Sequence, residues 1–172
     1  MLLLDLNLPG AYGFSALAHL RGSRPELPVI VVSAMDEPHI VRQALAFGAN
    51  GFVSKCVDAA AIGRDVLAVL RGEMVSPPRV SSEPAVDGAA LDAAQRMAQL
   101  TPQQFRVFGM LCSGMLNKQI AYDLQITEAT VKAHMTAILR KLGAVNRTQA
   151  VLLAGHLVLD PSELKPPPDG AQ

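Results

Sequence analysis

The chain has 172 residues, half of them apolar and 17% charged, and its 15 basic and 15 acidic side chains cancel to a formal net charge of zero. That composition excludes an intrinsically disordered chain and fits one medium or two small globular domains. A net charge of zero argues against nucleic acid, but the average hides an asymmetry: residues 101–160 carry six basic and three acidic side chains, and the excess gathers where a DNA-binding module would put it.

The opening Met1-Leu2-Leu3-Leu4 lacks the basic flank of a signal peptide and ends at Asp5, and no apolar run approaches the roughly 20 residues of a membrane span. A cytoplasmic protein is expected. Cys56 and Cys112 lie in apolar stretches without metal-ligand spacing, and both are expected as buried thiols in a reducing compartment.

The first 71 residues alternate short apolar runs with helical patterns. Leu2-Leu3-Leu4 ends at Asp5, Val29-Ile30-Val31-Val32 at Ser33, and Gly51-Phe52-Val53-Ser54 at Lys55, each reading as a buried strand. Residues 13–20, 37–47 and 58–70 read as the helices between and after them, which implies a parallel sheet with helices on its faces. Chemistry in such sheets gathers at the carboxyl ends of strands. Asp5, Ser33 and Lys55 stand one at each end, a carboxylate, a hydroxyl and an ammonium suited to receiving a phosphoryl group.

From residue 72 the chain has three prolines (Pro77, Pro78, Pro84) with serine and glycine and little periodicity, so a linker is expected over 72–98, with a short helix at 91–98. Thr101-Pro102-Gln103-Gln104 is a complete helix start, with Thr101 as cap, Pro102 in the first turn and Gln104 closing a capping box. A second helix is predicted over 117–124 and a third over 128–142, with Thr127 as cap and Gly143 as stop. A fourth starts at Asn146, with Gln149 three residues on. A disordered tail is expected over 160–172.

On a helical wheel of residues 128–142, Val131, Met135, Ile138, Leu139 and Leu142 form one stripe. Opposite lie Ala129, Ala133, Thr136, Ala137 and Arg140, with Lys132 on the flank. Small residues edged by positive charge can enter a major groove without collision, their methyls meeting thymine methyls while Lys132 reaches base acceptors or phosphate. The tight Gln125-Ile126 connection suits a helix-turn-helix, and Lys118 at the start of the preceding helix is placed for phosphate. His134 is expected to pack rather than to ligate, and His19, His39 and His156 are scattered. No glycine-rich phosphate loop, metal-spaced histidines or nucleophile–base pair is present, so an enzyme is not expected.

Asn117-Lys118-Gln119-Ile120-Ala121, residues 126–134 (Ile126-Thr127-Glu128-Ala129-Thr130-Val131-Lys132-Ala133-His134) and residues 141–150 (Lys141 to Ala150) resemble, in order and spacing, the LuxR-type helix-turn-helix. By that resemblance Lys132, Ala133 and Thr136 face bases, while Lys118, Thr130 and Arg140 face phosphates. The partner is then double-stranded DNA, bound by a homodimer formed through the last helix, from Asn146 to about Leu157. Where the family has a serine before Asn117 this chain has Leu116, which cannot cap, at a cost on the order of 1 kcal/mol.

Residues 4–10 (Leu4-Asp5-Leu6-Asn7-Leu8-Pro9-Gly10), the Ser33-Ala34 pair and residues 48–55 resemble the response-regulator receiver domain, NarL/FixJ branch. The resemblance makes Asp5 the phosphoacceptor and Ser33, Phe52 and Lys55 the switch residues. It implies a flavodoxin-like sheet of order 2-1-3-4-5 in the family, of which this chain starts inside the third strand. The first two strands, roughly 50 residues in the family's fold, and the acidic pair that completes a Mg²⁺ site with Asp5, are not in the sequence. Mg²⁺ is therefore expected only in a full-length receiver, and Asp5 is expected to accept phosphate poorly.

The expected architecture is thus α/β plus all-α, a partial receiver over 1–71, a linker over 72–98 and a four-helix LuxR-type domain over 99–159. The expected function is that of a two-component transcription regulator, with a sensor histidine kinase as partner of the full-length form and RNA polymerase as a further partner. The alternative is an interaction module that pairs with an intact response regulator. An apolar edge at Met1 to Asp5 points to a truncated product or to self-association.

Overall fold

The α/β part is a parallel sheet of β1 (Leu2–Asp5), β2 (Val29–Ser33) and β3 (Gly51–Ser54), paired in sequence order with Leu4 opposite Val31 and Ser33 opposite Ser54. The computed structural model describes residues 1–7, 13–77 and 87–157. Leu8-Pro9-Gly10 of the acceptor motif, the middle of the expected linker and the expected tail lie outside the described residues.

Helices α1 (Ser15–Ser23), α2 (Pro38–Ala46) and α3 (Ala59–Leu70) flank the sheet. The strand period of two sorts the apolar side chains. Leu4, Val29, Val31 and Phe52 share one buried cluster with Leu17, Ile40, Val41 and Ala44 of α1 and α2. Ile30 and Val53 point the other way, into a smaller cluster with Val69 of α3. Leu3 is 50% exposed, as its place on the α3 face of β1 dictates. Helix α1 starts two residues later than its sequence pattern suggests, after Gly13 at φ 49°, and runs on to Ser23.

The expected linker is partly ordered structure. Val75 forms a parallel bridge with Gly51, and the Phe52 amide donates to the Val75 carbonyl at 2.9 Å, so the chain after α3 returns to line the free edge of β3. A Cβ on Gly51 would lie 3.2 Å from Val69 Cγ2, so this close approach uses its missing side chain. The helix expected from Leu91 begins three residues earlier, as α4 (Gly88–Met97), capped by Asp87, which accepts from the Ala89 amide at 3.0 Å. Ala90, Ala93, Ala94 and Met97 form its buried stripe, packed against α1 and α7.

Helices α5 (Pro102–Cys112), α6 (Asn117–Leu124), α7 (Glu128–Leu142) and α8 (Arg147–Gly155) complete the chain. Their core residues, including Val107, Leu111, Ile120, Ile138 and Ala150, belong to the same continuous cluster as the sheet's α1–α2 face. Cys112 is buried as expected, and burial pushes its thiol up to about 12. Cys56 is exposed, against expectation, because the residues after Lys55 turn away from the end of β3 into solvent.

Candidate nucleic-acid interface

Local chemistry fixes α6 and α7. Thr127 caps α7 by accepting from the Thr130 amide at 3.1 Å, and its hydroxyl lies 2.9 Å from the Thr130 hydroxyl. Gly143, left-handed at φ 66°, ends the helix. Between α6 and α7 the backbone turns at Gln125, also left-handed at φ 54°, an uncommon conformation for a residue with a side chain. Leu116, at the cap of α6, offers no acceptor. The Gln119 side chain still accepts from the Leu116 amide at 2.7 Å, so half of a capping box persists.

Packing decides which side of α7 faces outward. Val131, Met135, Ile138 and Leu142 are buried and Leu139 is half-buried. Ala129, Thr130, Lys132, Ala133, Thr136 and Arg140 are exposed, while Ala137 and His134 are half-buried. The Thr136 hydroxyl donates to the Lys132 carbonyl one turn back, at 3.1 Å, so its hydrogen is spent inside the helix. Lys118 is exposed in the first turn of α6. All six residues assigned to DNA from the sequence thus lie on the exposed surface of one helix pair.

The framework behind that surface is held in part by a half-buried cation. Arg147 donates to the Leu111 and Met115 carbonyls at 3.1 and 2.6 Å, tying the start of α8 to the end of α5, and burial lowers its pKa. Asn146 caps α8 by accepting from the Gln149 amide at 2.9 Å. On the outer side of α8, Leu152 is 65% exposed, and Val145 just before the helix is also exposed.

At the carboxyl end of the sheet, Lys55 Nζ lies 2.5 Å from Asp5 Oδ2, and Asp5 Oδ1 accepts from the Asn7 amide at 3.1 Å. The Lys55 hydrogen bond, then that of Asn7, holds the Asp5 carboxyl below the usual carboxylate range. Ser33 is buried and its hydroxyl accepts from the Met35 amide at 3.1 Å, while Phe52 is buried in the α1–α2 cluster. Asp5 and Lys55 are therefore joined, whereas Ser33 and Phe52 turn their side chains inward. For Mg²⁺ the donor set is too small: among the described residues no three carboxylate, imidazole or thiol groups gather around Asp5 or elsewhere.

Other contacts escape sequence reasoning because they join distant segments. His19 of α1 stacks on Phe105 of α5, the Phe14 amide donates to the Leu157 carbonyl at 2.8 Å, and Arg96 of α4 donates to the Leu142 carbonyl at 2.8 Å. The residue most open to prediction was Arg96, which has Asp92 one helical turn before it.

Residues 98–154 match the family described as bacterial regulatory proteins, luxR family, and residues 1–66 match the response regulator receiver domain. The chain is 39% identical over 163 residues to the glycerol metabolism activator of Pseudomonas putida, spanning 91% of this chain and 74% of that protein. It is 31% identical to the nitrate/nitrite response regulator protein NarL of Escherichia coli K12, over 88% of this chain and 71% of the relative. Identity to the DNA-binding transcriptional activator DevR/DosR of Mycobacterium tuberculosis is 30%, over 97% and 76%. Among the described residues no helix is long and apolar enough to cross a membrane.

Proposed function

The chain belongs to the LuxR/NarL-type response regulators, transcription regulators rather than enzymes, and on that premise we propose that it binds specific duplex DNA as a homodimer through the outward face of α7. In this reading residues 1–71 are a receiver part, 72–98 connect, and 99–159 carry the DNA-binding domain. The observation that carries it is the exposure of Lys132, Ala133, Thr136 and Arg140 opposite a buried Val131–Met135–Ile138–Leu142 stripe. Alanine and threonine let the helix backbone approach base edges, Lys132 reaches base acceptors, and Lys118, Thr130 and Arg140 sit where phosphates flank a groove-bound helix.

Leu152 and Val145 are the apolar groups on which two copies of α8 would meet, setting the recognition helices at a fixed spacing.

Selection from a randomised duplex library by the purified chain tests the proposal. Enrichment of paired half-sites about one helical turn apart, with affinity falling steeply as salt rises, is expected. A recovered pool indistinguishable from the input would refute it.

A further inference from the structure

Helix α4 lies between the two segments that match known families, 1–66 and 98–154, so neither match assigns it a role. It nevertheless touches both parts of the molecule. Its buried stripe packs on α1 from one side and on α7 from the other. At its end, Ala98 approaches Gly22 of α1 so closely that a Cβ on Gly22 would lie 2.1 Å from the Ala98 carbonyl oxygen. Only glycine permits that contact, and the atom in the way is backbone, which cannot swing aside.

The other side of α4 holds the carboxyl end of the recognition helix. Arg96 Nε pairs with Asp92 Oδ2 at 2.9 Å, which aims the guanidinium, and Nη1 donates to the Leu142 carbonyl at 2.8 Å. The guanidinium crosses over Gly143, where a Cβ would come within 2.3 Å of Nη1. A cation at the last carbonyls of a helix also meets the negative end of its dipole. Lys141 of α7 reaches back to the Gln99 carbonyl at 2.9 Å and Gln104 Oε1 at 2.7 Å, so α7 is fastened to the residues just after α4 as well.

We propose that Arg96 is a positioning residue for DNA reading, and that α4 is the strut through which the α1 side of the molecule sets the angle of α7. The inference rests on α7 being the DNA-reading helix. A groove-bound helix reads bases only in a narrow range of orientations, whereas phosphate attraction tolerates more. Loss of the Arg96–Leu142 bond therefore reduces discrimination between sequences while leaving general DNA attraction in place.

The test uses the full chain, a duplex recovered from its own selection and a random-sequence duplex of equal length, with Kd measured for both by fluorescence anisotropy. Wild type is measured first; if it does not prefer the selected duplex, the DNA reading itself fails, and the strut with it. Given that preference, Arg96→Ala is expected to lower the ratio of the two affinities about fivefold or more, the worth of one base contact, with random-duplex binding within about twofold of wild type. Arg96→Lys, which keeps a donor for the Leu142 carbonyl, is expected to recover part of the ratio. Asp92→Asn, a milder change on the exposed side of α4, is expected to shift it in the same direction and serves if Arg96→Ala does not fold.

Gly22→Ala supplies the second arm. It displaces Ala98 from α1 and is expected to lower the same ratio, and in combination with Arg96→Ala the loss is expected to depart from additivity by about threefold or more. An unchanged affinity ratio in folded Arg96→Ala or Asp92→Asn protein, or strict additivity with Gly22→Ala, would overturn the proposal, even if the melting temperature fell.

Discussion

The His19 imidazole lies flat on the Phe105 ring, with centroids 4.4 Å apart and planes 5° from parallel, and so joins α1 beside the sheet to α5 of the helical part. His19 Nδ1 is buried without a hydrogen-bond partner among the described residues, and burial lowers its pKa. The imidazole is therefore held neutral, and a proton there would be charged in an apolar contact.

A pH dependence follows from that sign. A histidine whose folded pKa lies below its unfolded value contributes stability that is fully present above the unfolded value, about 6.5, and lost as pH falls toward the folded one. Thermal melts between pH 8 and pH 5 are expected to show a falling Tm for wild type and a flatter profile for His19→Phe, which keeps a stacking ring and removes the titration. Parallel profiles for the two proteins would exclude His19 as the source.

Leu116 stands where α6 needs an acceptor, and the Gln119 half of the box is already formed. Leu116→Ser would complete it. Because Leu116 is exposed, little apolar burial is lost, and a gain of about 1 kcal/mol in urea denaturation is expected. A destabilised variant would show that Leu116 packs in a way its exposure does not suggest.

The Asp5–Lys55 pair is partly open to solvent, so its contribution to stability is small despite its short distance. Asp5→Asn is expected to cost no more than about 1 kcal/mol at pH 7. With the Asp5 carboxyl depressed by Lys55, the pair's contribution is present above the unfolded pKa of about 3.9 and lost as pH falls through the folded value. DNA affinity of Asp5→Asn is expected to match wild type; a large loss would tie the sheet end to the DNA face.

The Thr136 hydroxyl is bonded to the Lys132 carbonyl, which leaves its methyl as the group offered to a base. Thr136→Val keeps a methyl there, and Thr136→Ser removes it. If that methyl meets a thymine, replacing thymine by uracil in the selected duplex costs wild type about fourfold at one position, from roughly 0.8 kcal/mol per buried methyl-sized group. Thr136→Ser is expected to lose sensitivity to that replacement and Thr136→Val to retain it. Equal sensitivity in both variants would show that the Thr136 methyl is not the group that meets the thymine.

Much of the helical part was legible because its signals are local. Thr127 and Gly143 bound α7 at the residues where the sequence pattern places them, and Asn117 and Leu124 bound α6. The three strands likewise follow short apolar runs ending at Asp5, Ser33 and just before Lys55. What the sequence does not display is non-local. Helix α4 begins on Gly88, a weak helix former, and its buried Ala90, Ala93 and Ala94 pack against elements far along the chain, a pairing the local sequence does not display. His19 looks like one of four scattered histidines until Phe105 is folded onto it. Cys56 sits in an apolar neighbourhood in sequence and in solvent in space, because the turn after Lys55 carries it outward.

Comparing Lys132→Ala with Lys118→Ala on selected and random duplexes tests the assignment of α7 to base reading most directly. Lys132→Ala is expected to weaken binding to the selected duplex about fivefold or more beyond its effect on random DNA. Lys118→Ala is expected to weaken both equally and to reduce the salt slope by about one. Equal losses on both duplexes for both variants would mean that α7 touches only the backbone, and the outward face of Ala133, Thr136 and Arg140 would not be the reading surface.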